Sequence, residues 1–253
     1  MMKPGILFFT CILVISCIQL KSNSFINDLQ QDNVKGPAMR IITKTYLVNT
    51  EKPSKKLTQI IIDDFNRKGF VVQDSIIDIN NKQITRSLFI YNKGKLTQIR
   101  TWLNNKLNGT TVFDEGVEGK LEKMMDYNST GKMVQYYSNI KLNRFGLLVS
   151  ASSFDAHGKV MNYYENNYKG TQLIGGFTKN AKGAITYRFN NTLNEVLDPS
   201  SFKETYINDN LTKSNIYNYR YVKVDKLKNW TEQICYVGKK PVKITQRIIS
   251  YYE

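Results

Sequence analysis

The sequence predicts an all-β chain: an antiparallel meander of repeated β-hairpins forming an extended or curled sheet, with little helix. Three observations predict it. A stretch occurs twice, as Tyr127-Asn-Ser-Thr-Gly131-Lys-Met-Val-Gln-Tyr136-Tyr137 and as Phe154-Asp-Ala-His-Gly158-Lys-Val-Met-Asn-Tyr163-Tyr164, 27 residues apart. Its first half carries turn chemistry and its second half reads as strand. Similar turn clusters recur every 10–16 residues or so, the spacing of serial hairpins. The composition agrees, with 16 Tyr and 12 Phe against 5 Pro, and no amphipathic helix of four turns follows residue 38.

The N-terminus stands apart from this pattern. Lys3 precedes an apolar run, Ile6 to Ile15, that is too short to span a bilayer. Val14-Ile15-Ser16-Cys17 resembles the lipobox of bacterial lipoproteins, which implies cleavage before Cys17 and lipidation of its sulfur. Cleavage near Ser22, discarding Cys17, is the alternative. The expected division is a signal peptide over 1–16, a lipid-anchored polar tether over 17–38 with one weak helical turn near Phe25–Gln31, and a single hairpin-repeat domain over 39–253. Two or more acyl chains give stable anchoring where one does not. Of the three cysteines, Cys11 leaves with the signal and Cys17 is lipidated, so Cys235 stands alone without a disulfide partner.

A net charge of +15 favours anionic neighbours. Export argues against nucleic acid, leaving the membrane through the lipid anchor and a protein or anionic glycan as expected partners. The expected location is the cell envelope, as an outer-membrane lipoprotein on the periplasmic face.

Along the domain, Arg40 to Val48 reads as a strand ended by Asn49 to Ser54, and Thr58 to Ile62 leads into Phe65-Asn66-Arg-Lys-Gly69. Turn signals follow at Asn80-Asn81-Lys82, Asn92-Lys93-Gly94, Asn104-Asn105-Lys106 and Glu118-Gly119. After the doubled stretch they continue at Asn166-Asn167, Ala181-Lys-Gly183, Asn190-Asn191, Asn208-Asp-Asn210, Lys228-Asn229 and Gly238-Lys239. Asn, Asp and Gly suit such turns because they tolerate positive φ. Within the strands apolar and polar residues do not alternate cleanly. Consecutive Tyr136-Tyr137 and Tyr163-Tyr164 put one ring on each face. Aromatic residues on both faces suit a sheet with one face only partly covered.

Tyr91-Asn-Lys-Gly94-Lys-Leu96, Leu103-Asn104-Asn-Lys106-Leu-Asn108-Gly109 and Val112-Phe113-Asp114-Glu115 resemble the variant MORN repeat of bacterial YwqK-type proteins. The doubled stretch is also similar to the YD repeats of large secreted bacterial proteins, and the segment from Tyr219 to Tyr252 resembles the end of exported Bacteroidetes proteins of unknown function. This resemblance implies one hairpin per unit, stacked into an extended sheet that holds partners or membranes. Lys228 departs from it, standing where the family has Gly.

Chemistry is sparse. His157, the only His, occupies a turn; no Gly-x-Ser-x-Gly elbow exists, and Cys and His are too few for zinc. No cofactor is expected, and no catalytic residue is assigned. Gly175-Gly176 reads as a bulge rather than a phosphate cradle. Asp63-Asp64, Asp114-Glu115 and Glu118 are the carboxylates from which a glycan hydrolase would be built, but adjacent strand residues face opposite ways. The expected function is therefore binding or scaffolding, with Arg100, Trp102, Tyr136, Tyr163, Tyr187 and Arg188 as the candidate surface: aromatic faces for stacking, cations for acidic groups. A carboxylate-dependent glycan hydrolase and a purely structural envelope protein are the alternatives.

Overall fold

The structure, a computed structural model, describes residues 26–49, 54–116, 120–208 and 211–253. The expected signal peptide, Cys17 and Glu118-Gly119 lie outside them, as do Asp209 and Asn210. One short helix, α1 (Asp28–Gln31), precedes sixteen strands: β1 (Ala38–Asn49), β2 (Ser54–Phe65), β3 (Val71–Asp78), β4 (Gln83–Asn92), β5 (Lys95–Leu103), β6 (Lys106–Glu115), β7 (Leu121–Asn128), β8 (Met133–Leu142), β9 (Leu148–Asp155), β10 (Val160–Lys169), β11 (Gln172–Asn180), β12 (Ile185–Leu193), β13 (Pro199–Asn208), β14 (Leu211–Val224), β15 (Trp230–Val237) and β16 (Lys240–Tyr251).

Every strand pairs antiparallel with its neighbours in sequence, as the hairpin meander requires. The sheet is neither extended nor merely curled, however. β1 pairs with β16 from Arg40↔Ser250 to Leu47↔Lys243, closing a sixteen-stranded barrel. Closure satisfies the backbone groups that an open meander would leave bare on its two edge strands.

The repeated turn is one structure, used seven times among the described residues. An Asn or Asp side-chain oxygen accepts the N–H groups two and four residues on. Asn128 does so from Thr130 and Lys132, Asp155 from His157 and Lys159, and Asn66, Asn143, Asn180, Asn194 and Asp225 repeat the pattern. The residue three after the Asx takes a positive φ, 79° at Gly131 and 66° at Lys228. Lys228 thus adopts a backbone that a glycine would have supplied more cheaply. Two expected turns are not turns. Asn166-Asn167 and Asn190-Asn191 lie within β10 and β12. The inward amides of Asn166 and Asn191 donate instead to Leu148 O and Leu173 O at 3.1 and 2.9 Å.

The doubled Tyr pairs divide as strand geometry demands. Tyr137 is buried inside the barrel, while Tyr136 lies on the outer wall, stacked on Phe154 at 4.9 Å between centroids and 7° between planes. Inward residues of β1 to β10 supply the packed core, including Ile41, Phe65, Phe89, Ile99, Phe113, Met124 and Leu148. Side chains alone do not fill a ring of this strand number. Residues 26–37, the second half of the expected tether, pack across one mouth and complete the core there. Leu29 and Val34 are buried in it, Asp28 accepts Val71 N–H at 2.7 Å, and Gln172 Nε2 donates to Gln31 O at 3.2 Å. Asn33 Nδ2 donates to Val196 O at 2.7 Å, and Asn229 exchanges two bonds with the Lys35 backbone.

The outer wall is not a lipid-facing band. Outward positions within the strands include Arg86, Arg100, Lys123, Glu165, Arg188, Lys203 and Arg220, exposed side chains spread around the ring. A membrane barrel presents an apolar belt there, and each charge at its midplane costs about 2–4 kcal/mol. Here exposed apolar residues such as Leu88, Met161, Ile216 and Ile248 alternate with those charges instead of forming a belt.

Candidate binding surface inside the barrel

Of the expected surface residues, Arg100, Trp102, Tyr136, Tyr163 and Arg188 are on the outer wall, scattered over β5, β8, β10 and β12. Trp102 sits between Arg86 and Leu107 across its neighbouring strands. Tyr163 is 38% exposed. Tyr187 is the exception: it points inward, paired with Thr178 and Tyr206, and so lies on the opposite face from its neighbour Arg188. The six do not converge on one place.

The inner wall converges instead. Strand alternation carries Tyr217, Tyr219 and Tyr221 of β14 onto one face, beside Tyr206 and Phe202 of β13 and Tyr187 and Phe189 of β12. The Tyr187 ring lies 5.0 Å from Tyr206 and 6.0 Å from Phe189, and Phe202 continues the series to Tyr217 at 6.2 Å. Glu204, buried among them, accepts from Tyr206 Oη at 3.1 Å, Tyr217 Oη at 3.3 Å and Asn215 Nδ2 at 2.9 Å. Three donors on one carboxylate hold the rings in place. Burial, and then the Glu204 charge, push the Tyr206 hydroxyl up to about 12, so it stays a donor at any physiological pH. A smaller hollow next to this wall is lined by Leu148, Tyr164, Asn166, Thr178, Tyr187 and Phe189. Gly176 leaves it room, because a Cβ there would stand 2.8 Å from the Phe189 ring. The register shift between Asn167 and Tyr168 puts a bulge on β11 next to Gly175-Gly176.

This wall is only partly covered. Tyr206 is 43% exposed although it faces inward. Asp32, in the N-terminal segment, is exposed and yet lies close enough to the inward Arg247 and Asp63 to act on their protonation. Both observations describe a hollow interior. Its floor carries charge: Arg247 from β16, with Asp32, Asp63 and Asp198 close enough to act on its protonation. The Arg247 guanidinium lies 3.7 Å from the Trp230 ring centroid, and Tyr221 meets Trp230 at 5.7 Å. Asp63 and Asp74 are cross-strand partners, and burial, with Asp32 and Asp74 nearby, pushes the Asp63 carboxyl up to about 7. Asp64 points the other way and pairs with Arg40, so Asp63 and Asp64 share no site. Among the described residues no three His, Cys, Asp or Glu side chains are grouped to hold a metal ion.

The far mouth has no counterpart of the N-terminal segment among the described residues. The described residues form a cup.

No family model and no curated protein matches the chain. Solved structures resemble it distantly. A porin-like protein from Bacteroides uniformis is 10% identical, covering 85% of this chain and 98% of its own, with a TM-score of 0.41. A porin-like protein from Bacteroides vulgatus is 11% identical over 83% and 98%, with a TM-score of 0.36. The TcdB2-TccC3-Cdc42 structure matches at 9% identity over 80% of this chain and 14% of that one, with a TM-score of 0.31. At such distances none of them assigns this chain a fold family or a function.

The aromatic inner wall is what sequence reasoning missed. Its signal was present in Tyr217-x-Tyr219-x-Tyr221, three rings at period two. What the sequence did not carry was which face of the strand would be the inner one.

Proposed function

We propose that the protein is an exported, lipid-anchored binding protein of the cell envelope that takes its ligand into the cup through the open mouth. Cys17 is its anchor, and the periplasmic face of an outer membrane is its place. The observation that carries this reading is the half-exposed aromatic wall in a lumen closed at one end. Aromatic rings bring large contact area at low entropic cost, and their hydroxyls fix orientation. Tyr187, Tyr206 and Tyr219 offer flat apolar faces, and Asn162, inward on β10 opposite Ser153, adds a hydrogen-bonding amide beside them, the combination that a sugar ring takes. The carboxylate-hydrolase alternative now rests on the inward pair Asp63 and Asp74.

Two measurements test the reading. Screening the purified protein on an array of envelope saccharides, with Tyr206→Ala and Tyr219→Ala beside it, should show binding that both substitutions weaken tenfold or more. Arg100→Ala, Trp102→Ala and Arg188→Ala should leave that binding unchanged. The reverse pattern returns the site to the outer wall, and release of reducing ends that Asp63→Asn abolishes makes the protein a hydrolase. For the anchor, Cys17→Ser should move the protein from the membrane fraction to the soluble one; a variant that stays with membranes rules out lipidation at Cys17.

A further inference from the structure

Sixteen strands in simple alternation place every second hairpin turn at the same mouth. The turns β1–β2, β3–β4 and onward to β15–β16 are all at the open end, and among the described residues the N-terminal segment, 26–37, contacts the other end. Six of these eight turns are fully described, and each has an exposed lysine in it or beside it: Lys82, Lys106, Lys132, Lys159, Lys182 and Lys239. The Gly-Lys of the repeated stretch is the source of two of them. None is an arginine, and none is in an ion pair among the described residues. The carboxylates of the same turns, Asp78 and Asp155, are occupied in accepting turn N–H groups. The closed mouth is also cationic, with Arg67, Lys68, Lys93, Lys120, Arg144, Lys169, Lys226 and Lys228 in its turns or beside them, so what sets the open mouth apart is that Glu195, Asp198 and Asp225 interrupt the other ring and residues 26–37 cover part of that end.

We infer that the lysine ring of the open mouth is the docking surface for an acidic polysaccharide, one bearing carboxylate or phosphate groups along its chain. This rests on the cup reading and names the class of its ligand. A ring of like charges around an opening concentrates counter-charge there and steers it inward. Lysine ammoniums on flexible stems act as point charges that follow an irregular polyanion, where arginine would select one planar geometry. The aromatic wall behind the ring suits sugar rings better than an acidic peptide. Orientation argues against the protein's own membrane as the partner. Ile26 enters at the closed mouth, so a barrel standing upright on an anchor at Cys17 turns the lysines away from the bilayer.

Binding of polygalacturonate to the full-length processed protein in detergent tests this, with neutral dextran as the uncharged probe. The triple reversal Lys132→Glu/Lys159→Glu/Lys182→Glu should weaken polygalacturonate binding tenfold or more, and the milder triple change to Gln several-fold. Reversal of Lys68, Lys169 and Lys226 at the closed mouth should have little effect, and binding should fade as salt rises through the Debye regime. Equal losses from both reversals would show diffuse charge attraction and overturn the inference. Tighter binding to polyglutamate, or to phosphatidylglycerol vesicles, would assign the ring to an acidic protein or a lipid surface instead. If the lysine variants lose polygalacturonate while Tyr206→Ala keeps it, the ring stands and the cup reading fails. If neutral saccharides bind through Tyr206 and the charged polymer does not bind, the cup stands and the ring inference fails.

Discussion

Arg247 and Trp230 meet face to charge on the floor of the barrel, 3.7 Å from guanidinium to ring centroid, and Arg247 Nε is buried there without a hydrogen-bond partner among the described residues. The ring supplies what a hydrogen bond would otherwise have to supply, and Asp32, Asp63 and Asp198 supply counter-charge. Arg247→Ala should cost about 2 kcal/mol, the upper end for a desolvated cation–π contact. Arg247→Lys should recover only part of it, because an ammonium lacks the flat face. Urea unfolding followed by Trp fluorescence measures both.

Asp63 makes stability depend on pH in the less common direction. Its folded value, about 7, lies above the ordinary 3.8, so between these the folded chain holds a proton that the unfolded chain has lost. The contribution is fully present below about pH 4 and is lost as pH rises through 7. The charged groups on its own side are Asp32, Asp74 and Arg247, and Asp64 acts on it weakly from the opposite face. Thermal unfolding of the wild type should therefore occur at lower temperature at pH 8 than at pH 5.5. Asp63→Asn should flatten that difference by a few kcal/mol, reduced by whatever water the lumen admits.

Asn229 is the clasp between the N-terminal segment and the barrel. Its side chain accepts from Lys35 N–H at 2.7 Å, donates to Lys35 O at 2.8 Å and reaches Tyr251 Oη at 2.7 Å, while the residue is buried. Asn229→Ala leaves those groups unpaired and should cost about 2–3 kcal/mol. Amide exchange at Lys35 and Val34 should accelerate far more than exchange in β5 or β6. Uniform acceleration across the barrel would mean that the segment is no separate unit.

Gly176 is a test of the inner hollow. A Cβ there would stand 2.4 Å from Glu165 O and 2.8 Å from the Phe189 ring. Gly176→Ala should destabilise by about 1–3 kcal/mol through backbone displacement, and should alter any ligand response that depends on Phe189.

The hairpin order was legible because turn chemistry is local: an Asx side chain, four residues and a positive φ suffice. The misread turns at Asn166-Asn167 and Asn190-Asn191 share that composition, but their amides are satisfied by Leu148 O and Leu173 O, which are distant in sequence. Closure was illegible for the same reason, since β1 and β16 are the most widely separated pairing in the chain. Clean alternation was absent because a hollow barrel wets part of its inner face, so Tyr206 inside and Tyr163 outside differ little in exposure. The candidate surface was assembled from aromatic and cationic residue types, and only Tyr187 among them turned out to face the lumen.

Closure gives the chain a seam. β1 is held on one side by β2 and on the other by β16, and Tyr252 N–H donates to Pro37 O just beyond the last pair. A polypeptide made from its N-terminus therefore carries fifteen strands with two raw borders until β16 (Lys240–Tyr251) arrives. Over that interval each border is a template for a second copy of the same chain, so premature termination near Val237 would turn a self-contained ring into a polymerising ribbon.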